Sequence, residues 1–269
     1  MVNAATDSLS VLVNARHLAG PRTGIEVYME QLLAALGSTG RVQLTALSWE
    51  PLNLGLPGVR EVLPTRRPKL RPGSLPATLW KLWFDQWQCL SALPRTGGIL
   101  YHGMDGFLPY SLRRRDRAVV TVHDLGWQAH PELYSRRLRL MYGGLFPWVV
   151  RRADRFIAVS RYTADDLVRR AGVPASKIDV VYHGLDPAFT TAGAGRRVSD
   201  SPYVLAVGGV SPRKNTRRLI AAFSRWRARG GHRSQHRLLI TGTSLEADFE
   251  QNGSALPEGV ALLGYVDQA

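Results

Sequence analysis

His123 and Asp124 are the first residues whose type and position could carry chemistry. They directly follow Ala118–Val122, an apolar run typical of a buried strand. In open α/β sheets, ligands bind in the crevice at the carboxyl ends of the strands, so we expect both residues to lie at such a crevice. A histidine there can donate a hydrogen bond or accept a proton near neutral pH. The alternative is that His123 only ties down the loop after the strand.

Two loops carry glycines at positions where an anion could bind. Arg16–Gly24 leads from the first predicted strand into a helix, and Gly208–Asn215 does the same near the end of the chain. A glycine just before a helix lets backbone N–H groups approach an anion at the helix N-terminus. The second loop adds Arg213 and Lys214, which can bind phosphate oxygens. The first loop lacks the GxGxxG pattern and the second lacks the Walker A pattern, so each could equally be an ordinary turn.

The charge balance favours anionic partners. The chain has 35 Lys and Arg against 21 Asp and Glu, a formal net charge of +14. Phosphorylated ligands, nucleic acid and acidic lipid surfaces all suit such an excess, although scattered arginines on solvated faces would also produce it. No recognised nucleic-acid-binding motif accompanies the charge, so we expect no nucleic-acid partner.

Several classes of protein are excluded by composition. The single cysteine, Cys89, excludes an internal disulfide framework and a Cys-based zinc site. No apolar run reaches the roughly 18 residues that a membrane-spanning helix needs. The first ten residues have neither a basic region nor an apolar core, so we expect no signal peptide and a cytoplasmic location.

Strands and helices are predicted to alternate, which favours an α/β fold with a parallel sheet covered on both faces. Strands are predicted at 10–14, 42–47, 99–102, 118–122, 156–159, 178–182, 203–207, 238–241 and 260–263. Helices are predicted at 25–36, 79–93, 135–151, 163–170 and 216–229. Residues 50–76 are rich in Pro and Gly and are predicted to form a loop.

The pattern restarts after a segment of small, polar residues. Residues 190–202 predict a linker between a domain of residues 1–189 and a second unit of residues 203–269. The second unit has three predicted strands, which is thin for an independent doubly wound domain. We therefore expect it to be the incomplete part of a larger domain.

Taken in order, several segments resemble the retaining glycosyltransferases of family 4, the group 1 glycosyl transferases. The segments are RTGIEVYMEQLL, LWKLWFDQW, VVTVHDLGWQAHPELY, RRADRFIAVSRYTADDLV, KIDVVYHGLDPAF, YVLAVGGVSPRKNTRRLIAAF, LLITG and LLGYVD. No one motif is decisive, whereas the ordered set is highly specific. The resemblance implies the GT-B fold, in which an acceptor-side domain faces a domain that binds the nucleotide sugar. It also implies no metal and no other cofactor.

The resemblance assigns roles in binding the donor. Gly24 would let the first loop approach the donor's phosphates, and His123 would contact the donor sugar and take part in catalysis. Arg213 and Lys214, beside Gly209, would neutralise the nucleotide diphosphate, on which negative charge grows as its bond to the sugar breaks.

Two further residues would line the cleft of such an enzyme. Asp124 follows the catalytic histidine, and Ser160 lies at the end of another predicted strand. Ser160 could equally cap the helix predicted to begin near residue 163.

The sequence departs from the family pattern near its end. Family members carry a pair of glutamates after the LLGYVD position, and that region lies outside these 269 residues. Glu246 and Glu250 precede it with a different spacing, so the role does not pass to them. Two functions stay open. One is a retaining glycosyltransferase that moves a sugar from a nucleotide-diphospho-sugar to a saccharide or lipid-linked acceptor. The other is a non-catalytic relative that binds glycan, membrane or a partner chain.

An aromatic and basic segment bears on the acceptor side. Residues 66–71 read RRPKLR, and residues 79–90 read LWKLWFDQWQCL. Tryptophans on a basic amphipathic helix suit peripheral contact with an anionic membrane, here at its inner face. The alternative is a helix packed on the domain core with an acceptor groove, because Trp80, Trp83, Phe84 and Trp87 follow the i, i+3, i+4, i+7 spacing of a core-facing helix.

Overall fold

A computed structural model gives the structure of the chain at residues 9–20, 22, 24–63, 69, 74–91, 98–185, 189, 201–242 and 256–266. The chain forms two compact units, Met1–Gly184 and Leu185–Ala269, and each is described by itself. Of the predicted linker, only residues 201 and 202 are among those described, and Glu246 and Glu250 lie outside them.

The first unit is built around a seven-stranded sheet. Its strands are β1 (Leu9–Asn14), β2 (Val42–Leu47), β3 (Val59–Val62), β4 (Leu100–Gly103), β5 (Arg117–Val122), β6 (Arg155–Ala158) and β7 (Ile178–Val180). Its α-helices are α1 (Gly24–Ser38), α2 (Leu75–Trp83), α3 (Gly126–Ala129), α4 (Arg136–Arg152) and α5 (Arg161–Ala171). The strand order is β3-β2-β1-β4-β5-β6-β7 and every neighbouring pair is parallel. The predicted α/β class is confirmed.

Both faces of the sheet are covered. Successive strand residues point to opposite sides, and each side packs into its own hydrophobic cluster. Val13 of β1 packs with Met29 and Leu33 of α1 in one buried cluster. Leu12, one residue earlier, belongs to a second cluster that includes Phe84. Burial on both faces explains why these strands are continuously apolar rather than alternating.

The strand order also places the crevice. β1 and β4 are neighbours although they are far apart in sequence. β2 and β3 extend the sheet on the side of β1, and β5, β6 and β7 extend it on the side of β4. The loops after these two strands diverge, which opens a crevice at their carboxyl ends. Residues after β1, β4, β5 and β6 therefore belong to one edge of the sheet.

The loop predicted at residues 50–76 is wrong in part. Val59–Val62 forms β3, which pairs with β2 at the edge of the sheet. Four residues after a Pro-Gly turn carry too little periodicity to stand out, and only pairing with β2 makes them a strand. The helix predicted from residue 79 starts earlier, at Leu75, because the Ser74 hydroxyl accepts from the Ala77 N–H and caps it.

The same helix ends in a wide π turn, Phe84–Gln88. This turn splits the aromatic stripe. Trp80 and Phe84 stack at 5.6 Å between ring centroids within the core. Trp83 and Trp87 face outward, with 43% and 54% of their surface exposed. Core packing is therefore confirmed for Trp80 and Phe84, whereas Trp83 and Trp87 are not part of the core and an acceptor groove beside them stays a prediction.

The second unit holds a smaller parallel sheet. Its elements are β8 (Tyr203–Val207), α6 (Thr216–Arg227), β9 (Arg237–Thr241) and β10 (Val260–Gly264), with strand order β10-β9-β8. Its core contains Val210, Ile220, Phe223, Leu238 and Ile240. All four elements match the predicted ones. Across the described residues of both units, no helix is long and apolar enough to cross a membrane.

Candidate functional site

His123 directly follows β5, and its ring is held from one side. Nε2 lies 2.9 Å from the Met104 carbonyl oxygen, at the end of the neighbouring strand β4. A carbonyl can only accept, so Nε2 carries the hydrogen and Nδ1 is the acceptor of the neutral ring. Among the described residues, no group hydrogen-bonds Nδ1. The ring can therefore offer a lone pair to a ligand in the crevice.

Two residues that the sequence did not single out surround this ring. Tyr28 of α1 meets His123 edge-on, with centroids 4.9 Å apart and planes at 86°. His183, after β7, stacks on His123 with centroids 5.7 Å apart and planes at 14°. Burial lowers the pKa of His183 below its usual value, and the proximity of His123 lowers it further. The signal that could have found them is their position, Tyr28 early in the first helix and His183 just after a strand.

Ser160 serves as a helix cap. Its hydroxyl accepts from the Thr163 N–H at 3.0 Å, at the start of α5. Thr163 Oγ1 lies 2.9 Å from Ser160 Oγ and donates to the His123 carbonyl oxygen at 3.1 Å. The alternative prediction, that Ser160 caps a helix, is therefore confirmed. Through Thr163 the cap also contacts the backbone of His123. The cleft-lining role of Ser160 stays a prediction.

Asp124 is exposed, and its carboxylate closes a local turn. Oδ1 accepts from the Gly126 N–H at 2.9 Å, at the start of α3. This contact is an Asx turn, in which an aspartate side chain bonds the backbone two residues on. These contacts do not test whether Asp124 lines the cleft, so that role stays a prediction.

Gly24 opens α1 and is exposed. Outside its own helix, no described residue would lie within 4 Å of a Cβ built on it, and its φ is not in the left-handed region. Among the described residues, neither crowding nor backbone conformation therefore requires glycine here. Arg22, just before it, pairs with Glu30 at 2.9 Å and binds the Leu18 carbonyl, which ties the loop to α1.

A second polar cluster lies beside the crevice. His17, after β1, has Nε2 3.2 Å from Asp105 Oδ2 and Nδ1 3.6 Å from Glu26 Oε1. Burial by itself would lower the pKa of His17, but the hydrogen bonds to both carboxylates raise it above its usual value. Burial would raise the pKa of Asp105, and its contacts with His17 lower it instead. The cluster joins the turns after β1 and β4.

Arg16 is fixed by an ion pair of its own. Its Nη2 donates to Asp85 Oδ2 at 2.7 Å, and Nε donates to the other carboxylate oxygen. That second oxygen, Asp85 Oδ1, also accepts from Asn14 Nδ2 at 2.9 Å. The guanidinium also lies 5.2 Å from the centroid of the Trp49 ring. The π turn that carries Asp85 is thereby joined to the end of β1.

The glycine loop of the second unit is held tightly by its backbone. The N–H groups of Gly208 and Gly209 both donate to the Thr241 carbonyl oxygen, at 3.0 and 2.7 Å. A Cβ on Gly242 would lie 2.4 Å from the Gly209 nitrogen, so the turns after β8 and β9 touch. Both N–H groups are engaged. Binding an anion here would therefore depend on side chains and the start of α6.

Arg213 and Lys214 supply those side chains. Both are exposed and stand in a short 3₁₀ turn, Pro212–Lys214, that precedes α6. Neither forms an ion pair within the described part of the chain. The Lys214 side chain lies over Gly208, where an added Cβ would be 3.1 Å from its Cε. Glycine at 208 thus leaves room for the lysine.

The structure brings four of the predicted residues, Gly24, His123, Asp124 and Ser160, to one edge of the first sheet or to the helix beside it. Gly209, Arg213 and Lys214 belong to the second unit. The sequence missed Tyr28, His183 and the two ion-paired clusters, because their partners are distant in the chain.

A sequence profile of Glycosyltransferase Family 4 matches residues 22–189, more than half of the chain. The chain belongs to Glycosyltransferase Family 4. A second comparison finds the O-antigen chain mannosyltransferase B of Escherichia coli, 29% identical over 133 residues. That match covers 46% of this chain and 34% of the relative, so it spans about a third of the relative's length.

Solved structures share the fold. WaaG, a glycosyltransferase involved in lipopolysaccharide biosynthesis, aligns with a TM-score of 0.59 at 11% identity, covering 96% of this chain and 70% of that one. The trehalose 6-phosphate synthase of Burkholderia multivorans aligns with a TM-score of 0.56 at 15% identity, covering 96% and 73%. At such identities the likeness concerns the fold, and the predicted GT-B type is confirmed.

The family match divides the predicted site residues. Gly24, His123, Asp124 and Ser160 lie inside the matched range, as do Tyr28 and His183. Gly209, Arg213 and Lys214 follow it, so their roles rest on the resemblance of the SPRKN segment and on their own chemistry.

Proposed function

We propose that this family 4 protein is a retaining glycosyltransferase that moves a sugar from a nucleotide-diphospho-sugar to a saccharide or lipid-linked acceptor. The observation that carries the proposal is His123. It lies inside the family match, at the carboxyl end of β5, with Nε2 bound to the Met104 carbonyl and Nδ1 open to a ligand. A histidine held this way can steady a sugar whose anomeric carbon gains positive charge.

The second unit would bind the donor's diphosphate. In the reaction, the bond between the anomeric carbon and a phosphate oxygen breaks and its electrons stay on the departing diphosphate, while the acceptor's hydroxyl oxygen bonds the same carbon and its proton passes to the diphosphate. Arg213 and Lys214 would stabilise that charge, because fixed cations are most effective where charge develops. No ion pair with a described residue competes for them, which supports a ligand role.

Gly24 would keep the first loop open to the donor's phosphates. The described part of the protein does not require glycine there, since none of its residues outside α1 would lie within 4 Å of an added Cβ. An open helix start next to the loop suits a negatively charged ligand. Gly24→Ala should therefore leave thermal stability unchanged or slightly higher while weakening the binding of a nucleotide sugar.

Calorimetric titration of the 269-residue protein with nucleoside diphosphates and nucleotide sugars tests the donor half of the proposal. The relative's name supports including a nucleotide-diphospho-mannose among the donors. Arg213→Ala/Lys214→Ala should weaken binding at least about tenfold, the usual loss for charge-assisted hydrogen bonds. Arg225→Ala/Arg229→Ala removes the same charge near the other end of α6 and should leave binding intact.

Transfer is then measured with the donor that binds. Radiolabelled sugar should appear in a saccharide or lipid-linked acceptor, and His123→Ala should lower kcat by about a hundredfold or more. Retention is read from the anomeric coupling in the product. Acceptor binding with no donor binding and no transfer would instead support a non-catalytic glycan-binding protein.

We further propose that the first unit contacts an anionic membrane at its inner face. The observation is an outward stripe of Leu75, Leu79, Trp83 and Trp87, exposed by 65%, 57%, 43% and 54%. The four recur every fourth residue and so follow one side of the helix and its π turn. Such a row of leucines and tryptophans suits the boundary between headgroups and acyl chains.

Basic residues accompany this stripe. Arg114 and Arg115 are exposed after Ser111, whose N–H donates to the Gln86 carbonyl of the π turn. Co-sedimentation with phosphatidylglycerol vesicles should show binding that Trp83→Ser/Trp87→Ser reduces. Leu140→Ser/Tyr162→Ser removes comparable exposed apolar surface elsewhere and is the control. Equal loss in both variants, or no binding to anionic vesicles, would reject the membrane contact.

A further inference from the structure

A buried hydrogen-bond chain leads from the interior of the sheet to the rings around His123. His102 of β4 and Thr121 of β5 are both buried, on neighbouring strands, with Nε2 2.8 Å from Oγ1. The Tyr28 hydroxyl lies 3.0 Å from the same Thr121 Oγ1. One threonine hydroxyl can accept from one neighbour and donate to the other, so the chain is complete within the protein.

Tyr28 is thereby held at one end and touches two imidazoles with its ring. It is edge-on to His123 at 4.9 Å and to His183 at 4.9 Å, with interplanar angles of 86° and 72°. His183 is exposed, and its contacts among the described residues are these rings rather than side-chain hydrogen bonds. The Tyr28 ring therefore contacts both imidazoles of the stacked pair.

Stability alone does not call for these polar groups. A hydroxyl and an imidazole inside an apolar sheet pay a desolvation cost that their mutual hydrogen bond only offsets. Burial lowers the pKa of His102 to about 4, so its ring is neutral at physiological pH. An apolar pair of similar shape would pack equally well there but would leave the Tyr28 hydroxyl without its partner.

We propose that Tyr28, tethered by the buried His102–Thr121 pair, is a positioning residue that sets the ring of His123 and its stacking on His183. Fixing the phenol oxygen limits how far the ring can swing, and the ring edge in turn limits rotation of the imidazole. His123 is thus oriented by two contacts, the Met104 carbonyl at Nε2 and the ring of Tyr28, whose plane is nearly perpendicular to the imidazole. The inference rests on the proposed function only where it concerns turnover.

The first test needs no substrate. Imidazole signals of His123 and His183 are assigned by single His→Gln variants and followed by NMR through a pH titration. Thr121→Val keeps the shape of the side chain and removes the hydroxyl, whereas Thr121→Ser keeps the hydroxyl and is the matched control. Thr121→Val and Tyr28→Phe should shift the chemical shifts and pKa values of both histidines. Thr121→Ser should leave the wild-type pattern.

If the effect passes through the single hydrogen-bond chain from His102 to Tyr28, the two substitutions should not be additive. The Tyr28→Phe/Thr121→Val double variant should resemble either single variant, because the second change has no tether left to break. Signals unchanged in Thr121→Val, or fully additive shifts in the double variant, would overturn the proposal. The near-UV circular dichroism of each variant confirms that it is folded before it is compared.

Turnover gives the second readout. With a donor and acceptor that react, Thr121→Val and Tyr28→Phe should lower kcat about tenfold with KM nearly unchanged, since a misplaced group loses rate more than binding. Shifted NMR signals without any transfer in the wild type would reject the glycosyltransferase proposal and leave the positioning role standing. Transfer in the wild type with wild-type kcat in Thr121→Val would reject the positioning role alone.

Discussion

His17 and Asp105 join the turns that follow two neighbouring strands, with His17 Nε2 3.2 Å from Asp105 Oδ2. His17 follows β1 and Asp105 follows β4, the strands between which the sheet changes its direction of growth. Asp105 also accepts from the Phe107 N–H at 3.3 Å, so the pair shapes the turn after β4. The two sides of the crevice are therefore linked by one titratable contact.

This contact predicts a pH-dependent stability. The pKa of His17 is raised in the folded protein, because its hydrogen bonds to Asp105 and Glu26 outweigh the effect of burial. Its contribution is fully present below the ordinary histidine pKa and is lost as pH rises through the raised value. The stability lost in His17→Gln should therefore be larger at about pH 6 than at about pH 9, as measured by urea unfolding. An equal loss at both pH values would contradict the ion pair.

His102 predicts the opposite trend. Burial lowers its pKa from 6.5 to about 4, so the unfolded chain takes up a proton that the folded protein does not. The folded protein therefore loses stability as pH falls from about 6.5 to about 4, by about 3 kcal/mol in all. His102→Gln cannot titrate, and its free energy of unfolding should fall less than that of the wild type between about pH 7.5 and about pH 5. Parallel curves for the two proteins would contradict a buried neutral ring.

The Arg16–Asp85 pair predicts a large cost for losing one partner. Asp85→Ala leaves the mostly buried guanidinium without its carboxylate, which should cost about 3–5 kcal/mol of unfolding free energy. Arg16→Met/Asp85→Ala removes both charges and should recover much of that loss. Urea unfolding of the two single variants and the double variant measures the coupling. A single-variant loss below about 1 kcal/mol, the range of surface pairs, would show that water screens the charges.

Ser160 predicts two separable effects. Ser160→Ala removes the cap of α5 and should cost about 1 kcal/mol, whereas Ser160→Asn keeps a capping oxygen and should cost less. If Ser160 also lines the cleft, Ser160→Asn should weaken nucleotide-sugar binding at unchanged stability. Calorimetric affinity measured beside the melting temperature distinguishes the two roles. Wild-type affinity in Ser160→Asn leaves the cap as its whole function.

Gly242 predicts that the second unit depends on close backbone contact. A Cβ there would approach the Gly209 nitrogen to 2.4 Å, and its φ of +132° is strained for any other residue. Gly242→Ala should lower the unit's stability by a few kcal/mol and displace the loop that carries Arg213 and Lys214. Gly230→Ala is also strained by its backbone conformation, but no described residue crowds the added Cβ, so it should cost about 1–3 kcal/mol and less than Gly242→Ala. Similar melting temperatures for both variants would contradict the close contact.

The sequence by itself determined the alternation of strands and helices, and with it the α/β class. The predicted strands are apolar runs and the predicted helices have their own apolar periodicity, and some helices carry their own cap, as Ser160 and α5 illustrate. These are local properties. The position of His123 followed from them as well, because the end of a parallel strand is a place that the chain marks directly.

Tertiary structure alone decided which side chains meet. β3 became a strand through pairing with β2, and the π turn divided one aromatic stripe between core and surface. Asp85 reaches Arg16, Asp105 reaches His17, and Tyr28 joins Thr121 to His123 and His183 across long stretches of sequence. Spacing along the chain carries no record of such contacts. They arise when the strand order brings distant loops to one edge of the sheet.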